Sequence, residues 1–164
     1  MSKAVLDSSV IIALSVLSHL DKLKNLFNET SVPRAVYEEI CVKGRGLMGD
    51  AELSEAIKKG EIKVKDVENR TLVNALIDPL ARGESETIAL TVEENAEFIV
   101  IDDRLGRNRA KNLGLNVIGT LRVLRMMFDN GLIDKNEFLN SIKKLQEIGF
   151  RISNNITEKV FKEL

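Results

Sequence analysis

Two short apolar runs in this chain each end on aspartate: residues 4–6 lead into Asp7, and residues 98–101 lead into Asp102 and Asp103. Short apolar runs of this kind are typical of buried parallel strands. In open α/β sheets the ligand-binding crevice lies outside the carboxyl ends of the strands. The aspartates therefore predict a site that binds a metal ion and handles phosphate. The alternative is that each aspartate only caps the helix that follows its strand.

Two adjacent glutamates, Glu38 and Glu39, lie on a helix predicted over residues 34–42. Neighbouring side chains on a helix point about 100° apart, so only one of the two faces the sheet. Glu39 lies three residues after Val36, which belongs to the apolar stripe. We therefore expect Glu39 to face the crevice and Glu38 to lie nearer to solvent.

Two further acidic positions stay open: Glu84 or Glu86 before the second apolar run, and Asp102 or Asp103 after it. Carboxylates packed this closely repel one another, so a cation must be present for all of them to stay ionised. Oxygen ligands without Cys or His suit Mg²⁺ or Mn²⁺ and not zinc. Such an ion would activate a water and stabilise the leaving oxygen of a phosphodiester.

Other chemistries are poorly supplied. His19 is the only histidine, between Leu17 and Leu20, and is expected to pack at a helix end or turn. Cys41 is the only cysteine, which excludes an intramolecular disulfide, and it is expected in the core. Neither common glycine-rich phosphate loop occurs, which argues against nucleotide binding.

Basic and hydroxyl residues flank the acidic positions. On a helix, Arg104, Arg107 and Lys111 share one face through their spacings of three and four. That face would position a phosphate backbone, or it would be a solvated surface that offsets the acids. Ser9 and Thr120 lie next to strand ends, where each hydroxyl would orient a carboxylate or a water, or cap a helix.

Strands and helices alternate along the chain. Strands are predicted at 3–7, 31–32, 62–67, 97–102 and 115–118. Helices are predicted after Ser8 and Ser9, at 20–28, 34–42, 50–59, 71–77, 83–95 and 105–113, and over most of 121–164 with breaks at Gly131 and Gly149. This alternation predicts an α/β protein with right-handed crossovers and a parallel sheet covered on both faces.

The length of 164 residues predicts one domain, spanning 1–164, with an ordinary composition of 44% hydrophobic and 30% charged residues. No apolar run approaches the roughly 18 residues of a membrane span, and Met1-Ser2-Lys3 leads directly into a strand. We therefore expect a cytoplasmic protein that does not enter a membrane. A net charge of −1 argues against a protein held on nucleic acid by bulk electrostatics. This charge is compatible with an enzyme that binds nucleic acid transiently.

In this order and spacing, the motifs resemble the PIN-domain family over about residues 3–125. The resemblance is carried by VLDSSVI at 5–11, VPRAVYEE at 32–39, GESETIAL at 83–90, VIDDR at 100–104, RNRA at 107–110, GL at 114–115 and VIGT at 117–120. It implies a three-layer α/β/α fold with a five-stranded parallel sheet and a ribonuclease dependent on Mg²⁺ or Mn²⁺. Many small members are VapC-like toxins of toxin–antitoxin pairs, usually dimers silenced by an antitoxin protein.

Carried over by position, the family's acids fall on Asp7, Glu39, Glu84 and Asp102, with Ser9 as the hydroxyl near the metal. Many members carry aspartate at the third of these positions. The helical tail at about 121–164 is longer than a minimal PIN domain requires. Its apolar residues would form a homodimer or partner surface, or part of the protein's own core: Met126, Met127, Phe128, Leu132, Ile133 and Phe138. The alternative to an enzyme is a non-catalytic PIN-like module that binds RNA or a protein.

Overall fold

The fold is built on five parallel strands in a single sheet. The structure, a computed structural model, describes residues 2–152, 154–162 and 164. The strands are β1 (Lys3–Leu6), β2 (Glu29–Pro33), β3 (Lys63–Lys65), β4 (Phe98–Val100) and β5 (Val117–Ile118). Their order across the sheet is β3-β2-β1-β4-β5, and every adjacent pair is parallel. The predicted five-stranded parallel sheet is confirmed.

The strand order places a topological switch point between β1 and β4. From β1 the chain moves outward through β2 to β3 on one side, then returns to fill β4 and β5 on the other. The crossovers therefore diverge at the carboxyl ends of β1 and β4, where a crevice opens. Asp7 follows β1, and Asp102 lies two residues after the end of β4, so both reach this edge of the sheet.

Helices cover both faces of the sheet. They are α1 (Ser8–Val16), a 3₁₀ helix (Leu20–Asn25), α2 (Arg34–Tyr37) running into a π-helix (Glu38–Lys43), α3 (Asp50–Lys58), α4 (Arg70–Leu76), α5 (Arg82–Glu93), α6 (Arg104–Asn112), α7 (Thr120–Asp129), α8 (Lys135–Glu147) and α9 (Asn154–Phe161). No helix in the described part of the chain combines the length and the hydropathy that crossing a membrane would require.

Several element boundaries differ from the sequence-based prediction. The helix predicted at 20–28 is a shorter 3₁₀ helix, and the helix predicted at 34–42 changes from α to π winding at Glu38. The strand predicted at 31–32 extends from Glu29 to Pro33, because pairing with β1 and β3 lengthens it beyond its apolar residues. Pro33 ends that strand and stands at the N-cap position of α2, where its missing N–H is tolerated.

The two faces of the sheet bury alternate residues of the central strands. Leu6 and Val100 join the larger cluster, which includes residues of α1, α7 and α8, and both are 0% exposed. Val5 and Ile99 point the other way, toward residues of α4 and α5. A strand buried on both sides has a continuous apolar sequence. The arrangement is the predicted three-layer α/β/α fold.

The helical tail packs on the protein's own core. Met127 and Phe138 are fully buried, and the Phe138 ring lies 5.6 Å from the Phe128 ring and 6.0 Å from the Phe161 ring. His19, buried as expected, has its Nε2 3.0 Å from the hydroxyl oxygen of Ser141 on α8. Most of the tail's apolar side chains are therefore packed within the chain.

A candidate acidic site at the sheet switch point

Asp7 is the most central of the acidic residues. It is 5% exposed, and its backbone N–H donates to the carbonyl of Val100, which ties the end of β1 to β4. It occupies the N-cap position of α1, yet its side chain makes no capping hydrogen bond. The Ser9 hydroxyl lies 3.4 Å from its Oδ2. The carboxylate is therefore not used to begin the helix, and it faces the crevice.

A cavity of about 200 Å³ opens beside Asp7, and its walls come from four parts of the chain. Its lining residues are Asp7, Ser8, Ser9, Glu39, Ala81, Gly83, Glu84 and Asp103. We call this cavity the acidic pocket. Gly83 lies against Glu39: a Cβ there would be in contact with Glu39 Oε2, at 3.4 Å.

Of the two adjacent glutamates, Glu39 lines the acidic pocket and Glu38 does not. The Ser8 hydroxyl donates to Glu39 Oε2. Glu38 instead pairs with Arg82, with 3.1 Å between its Oε2 and the guanidinium Nη1. The expectation that Glu38 lies nearer to solvent is wrong: Glu39 is the exposed residue, because it stands at the pocket rim, and Glu38 is half-buried against Arg82.

The structure separates the roles of Glu84 and Glu86. Glu84 lines the acidic pocket, and its Oε2 is buried with no hydrogen-bond partner among the described residues. Glu86 is 1% exposed and fully occupied elsewhere. It accepts from the backbone N–H of Ala35 at 3.0 Å and from the guanidinium groups of Arg70 at 3.2 Å and Arg82 at 3.1 Å. Glu86 joins α2, α4 and α5, and Glu84 is the one available to a ligand.

Asp102 and Asp103 point to different places. Asp103 lines the acidic pocket and caps α6, since the N–H of Gly106 donates to its Oδ2 at 2.8 Å. Both oxygens of Asp102 accept from Thr120: the backbone N–H at 2.8 Å and the hydroxyl at 2.6 Å. The structure thus brings Asp7, Glu39, Glu84 and Asp103 together in one pocket, with Asp102 beside it and turned toward the start of α7.

Burial raises the pKa of three of these acids, and neighbouring carboxylates add to the increase at Asp7 and Glu84. Burial raises the pKa of Asp7 from 3.8 to about 6, and the charges of Glu39 and Asp102 add to this, while the Ser8 backbone N–H and the Ser9 hydroxyl lower it. Burial also raises the pKa of Glu84 from 4.5 to about 7, helped by the adjacent Asp103 carboxylate and by the charge of Asp7. Burial raises the pKa of Asp102, and the two hydrogen bonds from Thr120 and the charge of Arg107 offset only part of that increase.

The donor set fits a hard divalent cation, but the side chains are not assembled around one. Carboxylate oxygens line the pocket, and the buried Oε2 of Glu84 is an acceptor to which no described group donates. Within residues 2–152, 154–162 and 164, however, no three acidic, histidine or cysteine side chains converge closely enough to hold an ion as they stand. The Ser8 hydroxyl donates to Glu39 and the Gly106 N–H donates to Asp103, so one oxygen of each carboxylate is already engaged. Cation binding would need these side chains to rearrange.

Of the basic residues on α6, Arg107 is half-buried, and its Nη1 donates to the carbonyl of Ile101 at 2.9 Å. Arg104 and Lys111 are exposed on the same helix. None of the three lines the acidic pocket.

Sequence reasoning did not single out Ser8 as the partner of Glu39. The signal available in the sequence was its position directly after Asp7, at the start of α1.

The fold and the site define an α/β protein with an acidic pocket at the switch point of a five-stranded parallel sheet. A family model described as PIN domain matches residues 3–164. The chain belongs to the PIN-domain family. PIN domains are generally nucleases and typically use divalent metal ions.

Two solved structures resemble the chain at low identity. A PilT N-terminus domain protein from the hyperthermophilic archaeon Sulfolobus solfataricus P2 covers 86% of this chain and 94% of its own, at 18% identity and a TM-score of 0.43. A domain of a functionally unknown protein from Methanocaldococcus jannaschii covers 73% of this chain and 91% of its own, at 22% identity and a TM-score of 0.49. No curated protein matches the chain.

Proposed function

We propose that this protein is an endoribonuclease that requires a divalent cation, Mg²⁺ or Mn²⁺. The observation that carries the proposal is the acidic pocket, where carboxylates from four separate parts of the chain face one cavity of about 200 Å³. Such a cluster is costly to ionise without a cation, as the raised pKa values of Asp7 and Glu84 indicate. Structural stability alone gives no reason to place the buried Asp7 and the partnerless Oε2 of Glu84 beside one another in this pocket.

In this proposal Asp7, Glu84 and an aspartate after β4 hold the cation, and Glu39 completes the set from the pocket rim. The bound cation would supply the Lewis acidity that activates a water and stabilises the leaving oxygen. Ser8 and Ser9 orient Glu39 and Asp7 through their hydroxyls. Asp103 is the better placed of the two aspartates to reach the cation, since it lines the pocket.

The finer biological role is part of the same proposal. We assign the protein to the VapC-like toxins, with an antitoxin protein as partner, RNA as substrate and a homodimer as the active assembly. The support is the ordered set of sequence motifs together with family membership. A neighbouring reading frame that encodes a small DNA-binding protein is the observation that would test the toxin role. A monomer in sedimentation analysis would contradict the dimer.

The test uses neighbouring residues as matched variants. Glu39→Gln removes a carboxylate from the acidic pocket, and Glu38→Gln removes one that pairs with Arg82 outside it. With labelled RNA and Mn²⁺ or Mg²⁺, Glu39→Gln is expected to lower cleavage at least tenfold, and Glu38→Gln to leave it within about twofold, because only the first changes the cation's ligands. Asp7→Asn is expected to abolish cleavage with the fold retained.

An equal loss of RNA cleavage in Glu38→Gln and Glu39→Gln would mean that the acidic pocket is not the catalytic site. RNA binding without any cleavage by the wild-type protein in either metal would favour the second candidate, a non-catalytic PIN-like module. Calorimetry with Mn²⁺ separates the two functions further, since a catalytic pocket binds the ion and loses it in Asp7→Asn.

A further inference from the structure

A second, larger cavity lies next to Asp102. Its volume is about 320 Å³, and Asp102, Arg107 and Gly119 are among its lining residues. Asp103 lines the acidic pocket and its neighbour Asp102 lines this cavity, so consecutive residues of the chain reach the two cavities. The remaining walls come from β5, from α7, from the segment between α8 and α9, and from α9. We call it the tail cavity.

Four cations surround the tail cavity: Arg107, Arg122, Arg151 and Lys159. None of them forms an ion pair with another side chain in the part of the chain that the structure describes. The single acid in the lining, Asp102, is already held by Thr120. On a protein of net charge −1, this is a local concentration of positive charge that faces one opening.

The rest of the lining is apolar and includes an aromatic ring. Val117, Leu121 and Val160 contribute to the walls, and the half-buried Phe150, which packs against the core, also lines the cavity. The wall on the α9 side is anchored, because Arg125 donates to the carbonyls of Val160 at 2.8 Å and Lys162 at 2.6 Å. Cations around an apolar, aromatic recess suit a ligand with a flat apolar part and an anionic part.

We propose that the tail cavity binds one nucleotide of a single-stranded RNA, with its base against Phe150 and the adjoining phosphates on Arg122, Arg151 and Lys159. Stacking on aromatic rings combined with a cationic groove is how proteins bind single strands without sequence preference. A base paired in a duplex is not free to enter the recess. The proposal rests on the proposed ribonuclease function, because the strand would continue from here past Asp102 into the acidic pocket.

This site differs from the basic face that the sequence suggested. Of Arg104, Arg107 and Lys111, only Arg107 reaches the tail cavity, and its Nη1 is held by the carbonyl of Ile101. The other cations come from α7, from α9 and from the segment between α8 and α9. The C-terminal helices would thus provide substrate binding in addition to core packing.

The experiment measures binding of a labelled single-stranded oligoribonucleotide by fluorescence anisotropy in EDTA, where no cleavage occurs. The double variant Arg122→Gln/Lys159→Gln is expected to reduce the slope of log affinity against log salt by about 1.4, at roughly 0.7 for each phosphate that the protein no longer neutralises. Phe150→Leu is expected to weaken binding on the order of tenfold at every salt concentration, with the slope unchanged. The matched control, Lys143→Gln/Lys144→Gln on α8, removes two exposed charges elsewhere and should change the slope by less than half as much.

The proposal is overturned if the Arg122→Gln/Lys159→Gln variant behaves like the α8 control. It is also overturned if duplex RNA depends on Phe150 as strongly as the single strand does, or if a glutamate-rich peptide competes more strongly than the RNA. Arg122 and Lys159 are both exposed, so their substitution should leave the fold intact. The salt-dependence test can therefore be carried out even if Phe150→Leu does not fold. Cleavage is measured separately: intact binding without cleavage rejects only the nuclease, and cleavage with control-like binding rejects only the tail cavity.

Discussion

Replacing Asp7 by asparagine is expected to stabilise the metal-free protein at neutral pH. Asp7 is 5% exposed and lies near the charges of Glu39 and Asp102. In the folded state its pKa is raised from 3.8 to about 6, chiefly by burial. Asparagine has nearly the same shape and never ionises, so it avoids the cost of a buried negative charge.

The magnitude follows from the pKa. An increase from 3.8 to about 6 corresponds to about 3 kcal/mol, at 1.36 kcal/mol for each pKa unit. The folded protein holds the Asp7 proton more tightly than the unfolded chain does. The contribution of this proton to the free energy of unfolding is therefore fully present below pH 3.8 and is lost as the pH rises through about 6. At pH 7.5 the ionised Asp7 lowers the free energy of unfolding of the wild-type protein by this whole amount, and near pH 4 it lowers it by almost nothing.

Thermal and urea unfolding in EDTA, at pH 7.5 and at pH 4, measure this difference. We expect Asp7→Asn to melt roughly 5–10 °C above the wild type at pH 7.5 and within about 2 °C of it at pH 4. Asp21→Asn is the matched control, because Asp21 is an exposed aspartate whose side chain is 68% accessible beside Lys22. It should change the free energy of unfolding by less than about 1 kcal/mol at both pH values.

The same variant reports on the cation. Mn²⁺ in excess should stabilise the wild type, because a ligand that binds only the folded state shifts unfolding by mass action, and it should leave Asp7→Asn unchanged. A variant that is less stable than the wild type at pH 7.5, or a gain in stability that does not depend on pH, would refute the reasoning.

Three further substitutions test which residues bind the cation and which stabilise the fold, in the same thermal and urea unfolding experiments. Glu84→Gln is expected to keep the fold, since its Oε2 has no partner in the described structure, and to lose the response to Mn²⁺; a retained response would contradict its place in the site. Glu86→Gln is expected to lower the free energy of unfolding by about 1–3 kcal/mol, because Arg70 and Arg82 lose a buried negative partner, and to keep the Mn²⁺ response. Phe138→Ala, which empties a fully buried site in the tail, should cost about 3–5 kcal/mol in urea unfolding. A loss below about 1 kcal/mol would mean that the tail is not part of the core.

Much of the fold is predictable from local sequence pattern. Apolar runs at residues 4–6 and 98–101 are short and uninterrupted, so they predict strands that are buried on both faces. Helices between such strands imply right-handed crossovers and hence a parallel sheet. The aspartates at the strand ends follow from the same pattern, because a carboxyl end of a parallel strand is where a functional side chain reaches the crevice.

The choice within each acidic pair depends on partners that are distant in sequence. Glu86 is taken by the Ala35 N–H and two arginines, which leaves Glu84 to face the pocket. Asp102 is taken by Thr120 at the start of α7, 18 residues further along the chain. Helical periodicity orients a side chain relative to its own helix, but it carries no information about which donor lies opposite.

The tail illustrates the same limit. Its helical periodicity and glycine breaks are local properties, and the structure has both Gly131 and Gly149 at positive φ, where glycine is favoured. Whether its apolar face covers this chain or another copy is not a local property; in the folded chain Met127 and Phe138 are buried in the protein's own core. Likewise, the cavity between Asp102, Phe150 and Lys159 exists only once α9 has folded back onto α7. Sequence pattern determines which elements form and which of their faces are apolar, and tertiary packing decides which groups meet, because contacts between elements depend on residues that are far apart along the chain.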